Sequence, residues 1–419
     1  MSKQTNIVHT GDCFDVLPTL PDNSVHAVVS DPPYGLAFMG RDWDDFEPKE
    51  YQEWCEQWAS ECLRVLKPGG HMLAFSGNRT HHRLFTGVED AGFEIRDTLT
   101  WHYGSGFPKA SDVSKTIDKR AGAEREVVGD YERPDGSEPR KNVDADSALF
   151  GNSDSNDQKR TAPATDAAKK WDGWKTGLKP STEFVVMARK PYDGATVDSV
   201  LEHGTGALNI EACRVETDEN LNGGAYTGDG ESDIYGDGLN ERGEAGEFEQ
   251  PEGRYPSNLI FDELAADALD REVGHLRSGT SNGNANTGEQ SDGATDFARG
   301  EMTERHDHGG PSRYFYTSKA TKAERTLDGK IDNAHPTVKP GDLMQWLVKL
   351  VTAEDQIVLD PFCGSGTTLR AAKDLNRQFI GIERQPKWAD VARVRAGLTP
   401  DDPSIVRDDA GQSGLEAYD

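Results

Sequence analysis

Apolar residues gather at the two ends of the chain, in patterns whose period changes from segment to segment. Residues 25–30 (VHAVVS) form a short apolar run that ends at Asp31-Pro32-Pro33. Such a run, followed by prolines that cannot donate to a ladder, predicts a buried strand with a forced break. Tyr51, Trp54, Trp58, Cys62 and Val65 then recur at helical spacing, and Lys67-Pro68-Gly69-Gly70 is expected to stop that helix. Strands are predicted over 71–75, 95–103 and 184–188. Toward the other end Leu343, Trp346, Leu347, Leu350 and Val351 share one helical face. The order continues as strand 357–359, helix 367–375, strand 379–382 and helix 388–395. Strands alternating with helices predict an α/β fold, a doubly wound, mostly parallel, Rossmann-like sheet covered on both faces.

Between the ends the pattern fails. Residues 109–172 have weak apolar periodicity and are dominated by Lys, Arg, Asp and Ser. Residues 216–310 are rich in Gly, Asp, Glu and Asn, with one apolar island at 255–264 (YPSNLIFDEL). The stretch SGTSNGNANTGEQSDGATD, from Ser278, buries too little to offset its ordering entropy and is expected to be loose. The sheet is expected to be complete without residues 106–330, apart from a core strand within 180–190. That stretch is therefore read as a large, partly loose insertion, and 399–419 as an acidic tail.

Composition sharpens this plan. Only 34% of the 419 residues are hydrophobic, so a packed core cannot run through the whole chain. The 74 Asp and Glu against 46 Lys and Arg give a net charge of −28. That charge normally argues against a polyanionic partner, and it resembles the acidic surface of a protein from a halophile or its virus. No apolar stretch is long enough to span a membrane, and the first residues lack a signal-peptide pattern, so a cytoplasmic location is expected. Five scattered cysteines with no Cys-x-x-Cys pair predict neither a disulfide framework nor a metal site.

Two motifs carry chemistry. Asp360-Pro361-Phe362-Cys363-Gly364-Ser365-Gly366-Thr367-Thr368 follows the strand IVLD directly. Glycines at such a strand-to-helix turn let backbone approach a ligand, and the helix start offers free N–H groups. No Lys follows, so this is not a nucleotide-phosphate loop. Glu383 ends the next strand, where an acid suits a ribose diol. The ligand is thus nucleoside-like, with no required pyrophosphate. The second motif, Asp31-Pro32-Pro33-Tyr34, sits at a strand's carboxyl end. Its prolines remove N–H donors and leave a carboxylate beside a bare carbonyl, a pair suited to accept both hydrogens of an NH2 group. Tyr34 adds a flat face for a ring to stack on.

SDPPYG near the start, HPTVKP at His335 to Pro340, and VLDPFCGSGTT followed by FIGIER resemble an S-adenosylmethionine-dependent DNA amino-methyltransferase. The order resembles the permuted β class, which acts on adenine N6 or cytosine N4. The resemblance covers roughly residues 8–103 and 311–396. It implies a methyltransferase sheet with 1–105 as the catalytic half, 331–398 as the cofactor-binding half and target recognition within 106–330. It places Asp360, Phe362, Gly364, Gly366 and Thr367 at the methionine and sulfonium part of S-adenosylmethionine. Glu383 falls at the ribose, Asp12 (after Gly11) at the adenine, and Thr337 and Lys339 at the methionine carboxylate. Asp31, Pro32, Pro33 and Tyr34 fall on the catalytic tetrapeptide. The implied reaction is methylation of adenine N6 on a base flipped out of double-stranded DNA, with N4-cytosine as the alternative. Methyltransferases of RNA or of protein glutamine share such a tetrapeptide but usually place the cofactor motif first. A DNA-binding regulator without turnover is opposed by the intact Asp31, Gly364, Gly366 and Glu383. Expected DNA contacts are Lys109, Lys115, Lys169, Lys170, Trp171, Trp174, Lys175, Arg313 and Tyr314. A cognate restriction endonuclease is a further candidate partner.

The charge has a measurable consequence. At about 1 M salt the Debye length falls to about 3 Å, which removes long-range repulsion from DNA, and counterion release then contributes little to binding. Activity is expected to persist or peak above roughly 1 M KCl. A steady fall in turnover from about 0.1 M upward would refute the halophile reading.

Overall fold

The computed structural model describes residues 5–36, 46–106, 110–130, 159–217, 221, 251–277, 308–318, 326–327, 330–331, 333 and 338–406. The chain divides into two compact units. One holds residues 1–36, 46–104 and 182–419; the other holds 37–45 and 105–181.

The larger unit is built on a nine-stranded sheet. Its strands are β1 (Ile7–Thr10), β2 (Val25–Ser30), β3 (Leu66–Ser76), β4 (Glu94–His102), β5 (Thr182–Arg189), β6 (Leu259–Asp262), β7 (Tyr316–Ser318), β8 (Ile357–Asp360) and β9 (Gln378–Glu383). They lie in the order β1-β9-β8-β2-β3-β5-β4-β6-β7. Every pair is parallel except those made by β5, which runs antiparallel to both β3 and β4. Strands from the two ends of the chain meet at the middle, where Val358 and Leu359 pair with Ala27 and Val28.

Successive residues of the central strands enter opposite faces. Ala27, Val29, Leu73 and Phe75 pack on one side with helix α3 (Gly341–Val351) and with α4 (Thr367–Asp374) and α5 (Pro386–Arg395). Val28, Met72 and Ala74 pack on the other with α1 (Pro48–Val65) and α2 (His81–Asp90). This is why the central strands read as unbroken apolar runs: both faces are covered. Helix α1 starts with Pro48 at its first position and a reciprocal Glu47–Glu50 cap, and it buries Tyr51, Cys55, Trp58, Ala59, Cys62 and Val65 at helical spacing.

Helix α1 ends at Val65, just before Lys67-Pro68-Gly69-Gly70 as expected, although β3 begins earlier than expected, at Leu66. One expectation fails here. The sheet is not complete without residues 106–330 even with the expected strand β5 set aside: that stretch also supplies β6 and β7, and β6 falls within the apolar island at 255–264. Only 105–181 separates as a compact insertion, together with residues 37–45. In its described part, helix Val113–Ala121, a hairpin of Val127–Asp130 with Lys159–Thr161, and helix Asp166–Lys170 surround the buried Asp118. Burial pushes the Asp118 carboxyl up, but donors from Ala164, Thr165 and Arg125 outweigh it and hold it down at about 2.

Gly366 begins α4 with φ +80°, and a Cβ placed there would lie 2.8 Å from Cα and Cβ of Ala392 on α5. The glycine lets two helices approach. Gly366→Ala is expected to lower stability by about 2–4 kcal/mol, from overpacking plus left-handed strain. Denaturant unfolding checks this, and a variant as stable as the parent would contradict it.

Candidate active site

The site lies where the parallel strands end, the edge at which open α/β sheets place ligands. Asp31 follows β2 and Asp360 ends β8. Ser30 Oγ donates to Asp360 Oδ1 at 2.6 Å, so a buried hydrogen bond joins the two motifs. Phe362 N–H donates to the same oxygen at 3.1 Å. Asp360 is 2% exposed. Burial pushes its carboxyl up to about 6, and the Asp31 charge adds to the rise, while donors from Ser30, Thr368 and Phe362 oppose it.

The glycine turn is braced from inside. Gly364 and Gly366 both have positive φ, at 50° and 80°. Cys363 N–H donates to Ile382 O at 2.9 Å, tying the turn to β9. Arg395 of α5, 1% exposed, donates through Nη1 to Ser365 O, Ser365 Oγ and Thr367 Oγ1. Thr367, expected at the cofactor, thus gives its hydroxyl to this buried guanidinium. Arg395 was not singled out in the sequence; as the last residue of an amphipathic helix it reads as surface.

Glu383 ends β9, and Gly11 N–H donates to its carbonyl at 3.0 Å, so the Gly11-Asp12 segment lies beside it. Burial raises the Glu383 carboxyl, against donors from Gln385 and Gly364. Asp12 Oδ1 caps the short helix Cys13–Val16 through Phe14 N–H at 3.0 Å, and its Oδ2 lies 3.9 Å from Arg384 Nε. Beyond the turn stands an aromatic group: Phe362 lies 5.3 Å from Trp54 and 5.4 Å from Trp58, and Trp54 lies 6.4 Å from Phe14. Trp54, counted in the sequence as a core position, is only half-buried and belongs to this site's wall.

The Asp31-Pro32-Pro33-Tyr34 segment is fixed by its own contacts. Tyr51 Oη donates to Pro33 O at 2.8 Å. Among the described residues no donor is bonded to Pro32 O. Tyr34 Oη lies 2.8 Å from Asp31 Oδ1 and 3.0 Å from Glu183 Oε2. Burial and the two carboxylates hold the Tyr34 phenol well above its usual range. Lys339, expected at the methionine carboxylate, lies against this segment. Its Nζ lies 2.6 Å from Asp31 Oδ2, 3.3 Å from Glu183 Oε2 and 3.2 Å from Tyr34 Oη. Burial lowers its pKa, but the two carboxylates outweigh that and raise it. Glu183 was missed in the sequence.

Of the remaining expected residues, Thr337 and Lys109 lie outside the described residues. Lys115, Lys169, Lys170, Trp171, Trp174 and Lys175 fall in the smaller unit, whereas Arg313 and Tyr314 fall in the larger one. Arg313 donates to Gly309 O and Gly310 O at 2.8 Å each, and the Arg254 guanidinium covers the Tyr314 ring at 4.7 Å. No described helix is long and apolar enough to cross a membrane.

A parallel sheet whose carboxyl edge joins an Asp-Pro-Pro-Tyr segment to a glycine turn and a strand-end acid defines an amino-methyltransferase site. A family profile described as DNA methylase matches residues 25–393, and the chain belongs to that family: it is an S-adenosylmethionine-dependent methyltransferase acting on amino groups of DNA. The chain is similar to the type II methyltransferase M.HindIII of Haemophilus influenzae, at 25% identity over 431 residues, 93% of this chain and 95% of that one. It is 44% identical to M.HinfI of the same species over 89 residues, 21% of this chain and 25% of that one. Among solved structures it is similar to a PvuII DNA methyltransferase described as cytosine-N4-specific, with 14% identity, 94% of this chain and 86% of that one covered, and a TM-score of 0.45.

The residues fit the cofactor. Among the described residues no cationic side chain is paired with Asp360, and a bound sulfonium or α-ammonium would supply the missing positive charge. Such a cation prefers the ionised carboxylate, so cofactor affinity is expected to rise with pH as Asp360 titrates near 6. One unit below that point about a tenth of the group is ionised, so affinity at pH 5 should be roughly tenfold weaker than its plateau. Calorimetry at pH 5 and 7.5 tests this, with Asp360→Asn as the variant that flattens the dependence. Parallel dependences in parent and variant would remove Asp360 from the cation's site.

Proposed function

We propose that the chain transfers a methyl group from S-adenosylmethionine to the exocyclic N6 of an adenine flipped out of double-stranded DNA, within a short specific sequence. The observation that carries the reading is the Asp31-Pro32-Pro33-Tyr34 segment hydrogen-bonded through Ser30 to Asp360 of the cofactor turn. An aromatic amine is a poor nucleophile because its lone pair is delocalised into the ring. Hydrogen bonds from its two N–H groups to Asp31 and to Pro32 O draw the nitrogen toward tetrahedral geometry and free the lone pair for in-line attack on the sulfonium methyl. Holding acceptor and donor in near-attack geometry supplies most of the acceleration. Asp360, Phe362, Gly364 and Gly366 would hold the methionine and sulfonium region, Glu383 the ribose and Asp12 the adenine, and the cofactor when bound supplies the electrophilic methyl.

Extrusion of the base costs a few kcal/mol, of which stacking on Tyr34 returns about 1–3 kcal/mol. Protein–DNA contacts supply the rest. Residues 105–181 carry fourteen Lys and Arg against fourteen Asp and Glu, so the whole net charge of −28 lies outside them. Trp171 and Trp174 stand edge to face at 4.9 Å, 39% and 59% exposed, with Lys169, Lys170 and Lys175 beside them. Exposed indoles among lysines suit a nucleic-acid surface, and this unit is the proposed recognition element. A cognate restriction endonuclease is the proposed biological partner.

The alternative is cytosine N4, since the same acceptor pair serves either amine. In the resembling family Asp-Pro-Pro-Tyr goes mainly with adenine and Ser-Pro-Pro-Tyr mainly with cytosine, and here Asp31 stands directly before the two prolines. Expression in a methylation-deficient host followed by nucleoside mass spectrometry is expected to show N6-methyladenine. N4-methylcytosine without N6-methyladenine would overturn the choice of base and leave the mechanism standing.

A further inference from the structure

The Asp-Pro-Pro-Tyr motif and a nearby cofactor turn do not account for two charged side chains buried against them. Lys339 and Glu183 come from parts of the chain far from Asp31 in sequence, and each is held against it by the topology of the sheet. β5 is the only antiparallel strand of the nine, and Glu183 pairs with Trp101 near the carboxyl end of β4, while Phe184 pairs with Ser76 at the carboxyl end of β3. An antiparallel strand begins at the edge where its parallel neighbours finish. Its first residues, Thr182 and Glu183, therefore arrive at the edge that carries Asp31. Lys339 lies two residues before α3, whose buried face is fixed in the core by Leu343, Leu347 and Val351.

The resulting cluster is closely coupled. The Lys339 ammonium, 9% exposed, sits between Asp31 at 2.6 Å and Glu183 at 3.3 Å, each carboxylate 18% exposed. The Tyr34 hydroxyl bridges the same two carboxylates. The other titratable groups facing them are Asp360, coupled to Asp31 through space, and Tyr103, which the Glu183 charge raises and the Lys339 charge lowers. Three carboxylates thus share one edge with one ammonium.

We propose that Lys339 and Glu183 are positioning residues for methyl transfer: Lys339 holds the Asp31 carboxylate aimed to accept the amine's N–H, and Glu183 sets the strength of that hold by competing for the same ammonium. This rests on the reading of Asp31 as the amine's acceptor. Two carboxylates close together cannot both stay ionised without a compensating charge, and a protonated Asp31 would lose the acceptor strength that draws the amine into shape. Lys339 supplies the compensation from the side, and neither residue needs to touch the substrate.

The two residues push Asp31 in opposite directions, which a purely structural role would not. At saturating cofactor and DNA, Lys339→Met is expected to lower kcat at pH 7 at least tenfold, because Asp31 loses its aim, and to move its acid limb upward by a pH unit or more. Lys339→Arg, which keeps the charge, should bring the limb back toward the parent. Glu183→Gln should move the limb downward, because the competitor for the ammonium is gone. Affinity of Lys339→Met for S-adenosylmethionine should stay within threefold of the parent. Limbs that do not move, or that move the same way, overturn the proposal. So does a loss of cofactor affinity in Lys339→Met, which would return that lysine to the methionine carboxylate. If thermal unfolding shows that Lys339→Met does not fold, Lys339→Arg and Glu183→Gln still decide the matter. Asp31→Ala separates the two levels: if it keeps turnover, the reading of Asp31 itself fails. If it is inactive while the limbs of the other variants stay fixed, only the present proposal fails.

Discussion

The hydrogen bond from Ser30 to Asp360 joins residues 330 positions apart, and the geometry of the site depends on it. It forms because β2 and β8 are neighbours at the centre of the sheet, with both faces of both strands buried. Parallel strands end at the same edge, so the residue after one and the last residue of the other must face each other there. Asp31 and Asp360 are therefore placed by core packing rather than by a loop of their own. The bond also fixes a charge problem. It brings a carboxylate that is pushed up to about 6 next to one that must act as an acceptor, and the rest of the site is arranged around that repulsion.

The antiparallel strand β5 is part of the arrangement. In an all-parallel sheet the strand between β3 and β4 would bring its last residues to the active edge. Reversed, it brings its first residues, and with them Glu183. The insertion of 105–181 leaves the sheet after β4 and returns at the start of β5.

The central strands and flanking helices were legible because their apolar positions have a clear period and both faces are filled. Val25–Ser30, Ile357–Asp360 and helix α1 are such cases. β6 and β7 were not legible as parts of the sheet: they are only four and three residues long. At that length no periodicity can be read. Asp31, Asp360, Gly364 and Glu383 were legible as a set because short motifs specify local backbone and chemistry together. Glu183 was not, since its place comes from strand direction, which side-chain pattern does not encode. Lys339 was recognised as functional through its motif, but its partner is set by the tertiary position of α3. Gly366 was read as letting backbone approach a ligand; the direction a Cβ would take there is also occupied by Ala392. A sequence shows that a side chain is absent, not what occupies the gap.

Charge at the active edge is deliberately unbalanced by the protein alone. Asp31 and Glu183 share one ammonium, Lys339, and Asp360 beside them has no cationic side chain paired with it among the described residues. In low dielectric an excess of carboxylates is unfavourable until a cation arrives or a proton is taken up. Asp360 shows the second outcome in its raised pKa, whereas Asp31 has the Lys339 ammonium at 2.6 Å. The edge is therefore divided in two. One carboxylate, Asp31, has a built-in ammonium beside it. Another, Asp360, has no cationic side chain paired with it among the described residues. The Ser30 hydroxyl stands between them, bonded to the second and adjoining the first in the chain, so the two carboxylates stay at fixed separation while the charge of one acts on the other.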